Sequence, residues 1–295
     1  MADDALVFDR ELLKRRRTRA LNRYSQADFL FKWARTQLGE RLLDINRTFD
    51  DAVQIGSRGI LGEHEKIQTL HVMDITPMPF ETTPSYLQAT EEFFPFQAHS
   101  LDLVLSTLNL HTVNDLPGTL LQIKRALNPD GLFLACMLGG ETLHELRQVM
   151  METELELYGG VSPRVAPFAD KPQMGDLLQR AGFALPIVDS DIVTVTYEHA
   201  FKLFQDLRFM GESNVLLARN INTPGKAFFS QVAQRYQDLH GGSDGRIVAS
   251  FEVIFLLGWA PHHSQQQPLR PGSAEHRLAD ALDSSEIHLN EKAKP

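Results

Sequence analysis

The sequence predicts an α/β fold built on a parallel sheet with helices on both faces, and three observations predict it. Residues 50–74 contain a short apolar run (Ala52-Val53-Gln54-Ile55), a glycine turn (Gly56-Ser57-Arg58-Gly59), a helical segment, and a second apolar run (Leu70-His71-Val72-Met73) that ends on Asp74. That order is the front half of a nucleotide-binding βαβ unit, in which glycines let the backbone approach a ligand and the distal acid takes ribose hydroxyls. The run Leu101-Asp102-Leu103-Val104-Leu105-Ser106 is nearly continuous and apolar, as a central parallel strand requires. Beyond it, strand-like and helix-like segments alternate.

The 295 residues have room for one α/β domain with insertions or helical elaboration. Hydrophobic content of 43% and charged content of 23% are those of a soluble globular chain. A formal net charge of −9 argues against nucleic-acid binding through a basic surface. The single cysteine, Cys136, excludes an internal disulfide and a Cys-based zinc site. It sits in an apolar run, residues 132–137, and reads as a buried structural thiol rather than a reactive one. No apolar run approaches the ~18–20 residues that span a bilayer. The start, MADDALVFDR, has neither a signal-peptide core nor the acid-poor character of a transit peptide. The expected location is therefore the cytoplasm, with peripheral membrane association left open.

Taken in order, residues 8–45 read as helical and define an N-terminal extension over 1–48. Leu12, Leu13, Ala20, Leu21, Phe29, Leu30, Trp33 and Leu38 recur near helical spacing. The basic cluster of Lys14, Arg15, Arg16, Arg17, Arg19 and Arg23 is either a solvated helix face or a guide for an anionic partner or membrane surface. Residues 75–85, with Pro77, Pro79 and Pro84, form no single element. After the strand at 101–106, residues 114–127 read as a helix capped by Asn114 with Pro117 early in it. In Asn128-Pro129-Asp130-Gly131, proline fixes φ and glycine accepts φ > 0, which gives a turn before the strand at 132–137. Gly139-Gly140 opens a helix over 141–157. Residues 171–181 are helical and closed by Gly182-Phe183, and residues 185–197 are β-rich. Helices at 199–210 and 224–240 make an insertion over about 198–242 before a last strand at 247–257. The polar stretch 261–295 has too few apolar residues to pack and is expected to be disordered.

The block Glu92-Phe93-Phe94-Pro95-Phe96, the run Leu101-Asp102-Leu103-Val104 and the Asn128–Gly131 turn together resemble the class I S-adenosylmethionine-dependent methyltransferases. Residues 106–117, 139–147, 162–168 and 210–214, Gly258-Trp259 with His262-His263-Ser264-Gln265, and the Phe8-Asp9-Arg10 start are similar to the methyltransferase-like assembly factors of respiratory complex I. The resemblance implies a Rossmann-like seven-stranded sheet with its last strand antiparallel, forming a methyltransferase-like domain over 49–260. It implies S-adenosylmethionine as cofactor at the carboxyl ends of the strands. It also implies hydroxylation of an arginine on the quinone-side iron–sulfur subunit of complex I. A more distant resemblance, to the enzyme that methylates malonyl-acyl-carrier protein, implies carboxyl O-methylation instead. The third reading is a non-catalytic assembly chaperone whose cofactor pocket has degenerated.

Carried onto this sequence, the cofactor-binding positions are Gln54, Gly56, Ser57, Gly59, Asp74, Ile75, Thr90, Glu91 and Leu108. Gly56 and Gly59 match the first and last glycines of D-x-G-x-G-x-G, whose middle glycine is missing. Gln54 stands where the pattern has an acid, and Thr90 where relatives place an aspartate facing the adenine amine. An amide in place of an acid loses about 1–3 kcal/mol of charge-assisted hydrogen bonding. With Thr90 added, binding weakens by ~10² to 10⁴. Asp74 keeps its acid. His111 is a candidate general base, or a packed histidine. Glu141 and Glu145 share a helix face at i, i+4, which suits either catalysis or a helix N-terminus. Glu212 can read a substrate guanidinium or serve a helix-end turn. Hydroxylation at an unactivated carbon usually uses iron held by two histidines and a carboxylate. None of the 11 histidines begins H-x-D or H-x-E, so no metal site is predicted.

Overall fold

A computed structural model describes residues 6–77, 85–222, 224–266 and 282–284. Met1–Pro261 form one compact unit and His262–Pro295 a second. Most of the tail expected to be disordered lies outside the described residues, as does most of the proline-rich passage at 75–85.

Among the described residues, the first unit contains seven α-helices: α1 (Arg10–Ala20), α2 (Phe29–Leu43), α3 (Leu116–Ala126), α4 (His144–Tyr158), α5 (Lys171–Arg180), α6 (Ala200–Met210) and α7 (Lys226–His240). Its strands are β1 (Phe49–Ile55), β2 (Ile67–Asp74), β3 (Tyr86–Gln88), β4 (Leu101–Thr107), β5 (Leu127–Leu138), β6 (Ala184–Tyr197) and β7 (Ile247–Trp259). They form one seven-stranded sheet in the order β3-β2-β1-β4-β5-β7-β6. β1 to β5 pair in parallel, and β7 runs antiparallel to both β5 and β6. This is the expected sheet with its last strand reversed. The central strands are apolar on both faces because both faces are covered. On β4, Leu103 and Leu105 join a core with α2, α4, α6 and α7, whereas Val104 joins the core under α3 and α5. Among the described residues, no helix is long and apolar enough to cross a membrane.

Several local expectations are corrected. No α-helix joins β1 to β2: Gly56 (φ 95), Gly59 (φ 73) and Gly62 (φ 76) are all left-handed, and such positions break a helix repeatedly. The N-cap of α3 is Asp115, which accepts from Gly118 N at 2.8 Å. Asn114 is used elsewhere, accepting from the N–H groups of Val7 (2.9 Å) and Phe8 (2.8 Å) and so tying the chain start to this loop. Residues 128–131 run within β5, and the left-handed residue there is Asp130 (φ 65) rather than Gly131. Gly131 is needed for space, since a Cβ would meet Asn128 O at 2.8 Å. Because α4 begins at His144, Glu141 lies in the turn before it. Cys136 is free and buried on β5, where burial pushes its thiol up to about 12, as a structural thiol requires.

The basic cluster of α1 divides in two. Arg15 and Arg19 are exposed, but Arg17 shares the inward face with Leu13 and Ala20 and is 0% exposed. A solvated face does not describe Arg17, which reaches the carboxyl ends of the strands.

Candidate functional site

The site forms where β1, β2 and β4 end. Gly56 carries the turn after β1 against the loop after β4, where an added Cβ would meet Asn109 Cβ at 3.2 Å. Gly59 lets the same turn pass under α2, since a Cβ there would meet Phe31 O at 3.1 Å. Gln54 holds the turn closed: its Nε2 donates to Gly59 O (3.0 Å) and Thr107 Oγ1 (3.2 Å), and its Oε1 accepts from Leu61 N (2.8 Å). All the bonds found for this amide are internal to the fold.

Asp74, at the end of β2, accepts four hydrogen bonds. Ser57 N (2.6 Å) and Ser57 Oγ (2.8 Å) reach Oδ2, and Thr76 N (2.9 Å) and Thr76 Oγ1 (3.1 Å) reach Oδ1. These fill the roughly four acceptor sites of a carboxylate. Burial pushes the Asp74 pKa up, but Arg17 and the N–H groups of Ser57 and Thr76 outweigh that and hold it below the ordinary range. Ile75 lends its carbonyl to Gln88 Nε2 at 3.2 Å. Thr90 caps the short turn at Glu91–Phe93, and its hydroxyl accepts from Arg10 Nη2 at 3.3 Å. Glu91 is 1% exposed and pairs with the same Arg10 nitrogen at 2.8 Å.

A second layer of charge lies beside these acids. Arg17 donates from Nη1 to Asn109 Oδ1 (2.7 Å) and from Nη2 to Thr112 Oγ1 (3.2 Å), and Nη2 stands 3.5 Å from Glu212 Oε1. Arg58 Nη1 donates to Met210 O (2.7 Å) and to Glu212 Oε1 (2.5 Å), with its guanidinium over the Phe31 ring. Burial and the neighbouring Arg58 lower the Arg17 pKa to about 10, against the opposing pull of Glu212, Asp74 and Glu91. Glu212 lies well below the carboxylate range, because Arg58, His111 and Arg17 together outweigh its burial. For His111 burial wins over the attraction of Glu212, and Arg17 and Arg58 add to it, so the imidazole is held below its usual pKa and is neutral at pH 7. With Glu212 ionised, His111 Nε2–H donates to Glu212 Oε2 at 3.1 Å. Nδ1 is left buried with no partner among the described residues.

His111, Glu212 and Leu108 all line a cavity of about 270 Å³ whose other walls are mainly apolar, including Phe31, Phe168, Phe204, Phe229 and Phe251. Two groups of the expected site residues thus meet across Arg17. Gln54, Gly56, Ser57, Gly59, Asp74, Ile75, Thr90 and Glu91 lie on the strand side, and Leu108, His111 and Glu212 on the cavity side. Glu141 belongs to neither. Its side chain is exposed, and the buried acids nearby are Glu252, whose Oε2 accepts from Glu141 N at 3.0 Å, and Glu145, which binds Ser250 of β7 through Oγ (2.6 Å) and N (3.2 Å). Sequence reasoning missed Arg10, Arg17, Arg58 and Asn109. The available signal was an arginine at the centre of the apolar Leu13-Arg17-Ala20 stripe. Among the described residues, no group of three or more His, Cys, Asp or Glu is placed to hold a metal ion.

Residues 61–135 match a family model described as a methyltransferase domain. The chain is 37% identical over 286 residues to "Arginine-hydroxylase NDUFAF5, mitochondrial" of Danio rerio, spanning 93% of this chain and 89% of the relative. The human protein of the same name is 36% identical over 281 residues, spanning 91% and 81%. The malonyl-[acyl-carrier protein] O-methyltransferase of Halorhodospira halophila is 30% identical over 271 residues, spanning 87% and 90%. Among solved structures, the YcgJ protein of Bacillus subtilis superposes with a TM-score of 0.52 at 14% identity, over 77% of this chain and 99% of that one, a likeness of fold.

Proposed function

The chain belongs to the methyltransferase-fold family of the arginine-hydroxylases NDUFAF5, and from that membership we propose that it hydroxylates an arginine of a protein partner, the iron–sulfur subunit of respiratory complex I. The observation that carries this reading is likeness over 93% of the chain and 89% of the relative, so no large part of either is left out. The buried acids at the strand ends bind guanidinium groups: Glu91 takes Arg10, and Glu212 takes both Arg17 and Arg58. The location that goes with this partner is the mitochondrial matrix, or the cytoplasm of a bacterium.

S-adenosylmethionine is the cofactor implied by the fold, and the residues as arranged do not fit it. Asp74 has no acceptor left for a ribose diol, Glu91 is paired with Arg10, and Gln54 is committed to Gly59, Leu61 and Thr107. No step is therefore derived through that group. As arranged, these acids hold the chain's own guanidinium groups and hydroxyls in place.

Peptide mass spectrometry of the iron–sulfur subunit from a deletion strain tests the reading. Loss of the added oxygen from one arginine, restored by the wild-type gene, is expected. An arginine that keeps its oxygen in the deletion strain overturns the assignment. The second reading, carboxyl O-methylation of an acyl-carrier substrate, is favoured by the Halorhodospira halophila relative. It requires methyl transfer from labelled S-adenosylmethionine to malonyl-carrier protein, and absence of label on the carrier removes it.

A further inference from the structure

We propose that residues 160–169 are a lid over the cavity lined by His111, latched to α4 by Glu154, and that release of this latch lets a molecule into the cavity. This goes beyond arginine modification and stands on other observations.

Leu146, on the cavity wall, is only 3% exposed, so a molecule that reaches it must pass a wall that yields. Most of the wall is fixed by helices and strands. Among its irregular segments, the chain start and the turn after α6 hold each other, with Asp9 N donating to Val215 O (2.8 Å) and Leu217 N to Val7 O (2.9 Å). The loop after β4 and the turn before α4 are pinned by Leu108 N to Cys136 O (2.9 Å) and Leu143 N to Ser250 O (2.7 Å). Residues 160–169 differ. They bring Arg164, Val165, Ala166 and Phe168 to the cavity, yet among the described residues no backbone–backbone hydrogen bond holds them. Segments of that kind open locally at far lower free energy than the fold as a whole.

Four hydrogen bonds do hold this stretch, and three of them end on one side chain. Glu154 of α4, 2% exposed, accepts from Ser162 N (2.8 Å), Ser162 Oγ (2.7 Å) and Arg164 Nη2 (2.6 Å). Asn214 Nδ2 donates the fourth, to Pro163 O at 2.8 Å. Bonds to an ionised carboxylate are strong while they last, and losing this one acceptor loosens the segment at three points together. The ends of the stretch suit a swing between fixed elements. An added Cβ at Gly159 or Gly160 would meet nothing within 4 Å, and Asp170 starts α5 with a capping box. Opening takes Phe168 away from the His111 ring, which it meets edge-on at 5.8 Å between centroids.

Thiol labelling of the full chain carrying Leu146→Cys tests the proposal, with dithiodipyridine as the probe and the buried Cys136 of β5 as the reference. Local opening exposes little surface, so labelling at position 146 should depend weakly on urea below the unfolding midpoint, whereas labelling of Cys136 should rise steeply. Adding Glu154→Gln is expected to speed labelling at position 146 by about tenfold or more, and Ser162→Ala, which removes one tether, by a smaller factor. Labelling at position 146 that follows Cys136 across urea overturns the proposal, whether or not the latch variants fold. So does labelling of the latched chain as fast as that of the unfolded chain, or a folded Glu154→Gln chain within about twofold of its parent. None of these readouts depends on whether an arginine is modified.

Discussion

Glu212→Gln is the substitution whose effect the charge network specifies most closely. The carboxylate serves Arg17 (0% exposed), Arg58 (3%) and His111 (1%) at once, and is itself 13% exposed. Removing one partner of a buried pair costs about 3–5 kcal/mol, because the other charge is left desolvated. Arg17 keeps Asn109 and Thr112, and Arg58 keeps Met210 O, which sets the expected loss near the lower bound, about 3 kcal/mol. Against a typical total of about 5–15 kcal/mol, that is a large fraction. Urea unfolding followed by circular dichroism should show a lower midpoint at unchanged slope. The control is Arg235→Ala, which removes an ion pair with Glu156, itself 60% exposed, and should cost at most about 0.5 kcal/mol. A loss below about 1 kcal/mol in Glu212→Gln would refute the view that this carboxylate neutralises a buried cationic centre.

Stability should fall with acid in two stages. The neutral, buried His111 binds fewer protons folded than unfolded, so its contribution is full above about 6.5 and is lost as pH falls toward its lower folded value. Asp74, Glu154 and Glu212, all held below the carboxylate range, contribute above about 4 and lose that contribution as pH falls through their folded values. Urea midpoints measured between about pH 8 and pH 3 check the order, and a His111→Phe variant that retains the first stage would contradict it. The Cys136 thiol, raised to about 12, should stay unreactive toward a disulfide reagent at about pH 8 until the chain is unfolded. Rapid labelling of the native protein would be the opposing result. Gly59→Ala should cost about 2 kcal/mol, since φ is 73 and the new Cβ would meet Phe31 O at 3.1 Å. A thermal unfolding curve identical to wild type would show that the turn can yield.

The sheet was legible because its residues obey local rules. Apolar runs placed β1, β2, β4 and β5, and Asp74 stood out as the acid on which such a run ends. Competition between neighbours for the same role was not legible. Asn114 and Asp115 are both good caps, and Asn114 is taken by Phe8, more than a hundred residues away in sequence. Glu141 and Glu145 look alike in sequence, but only Glu145 falls inside α4, where Ser250 of β7 can reach it. The Gln54 departure was visible, whereas its three partners appear only once the turn is folded. Arg17 and Arg58 were hidden for the strongest reason: their shared acceptor, Glu212, belongs to the turn after α6, far along the chain from both. An arginine among charged neighbours reads as solvated until its helix is seen to face a cleft.

Occupation of the cleft's acids by the chain's own hydroxyls and arginines is tested most directly by titrating S-adenosylmethionine into the full chain in a calorimeter. No saturable heat is expected up to about millimolar ligand, a weakness of about 4 kcal/mol or less of binding free energy. A saturable isotherm with micromolar affinity would show that Asp74 and Glu91 exchange Ser57, Thr76 and Arg10 for the cofactor, and would contradict the assignment of this cleft to guanidinium groups.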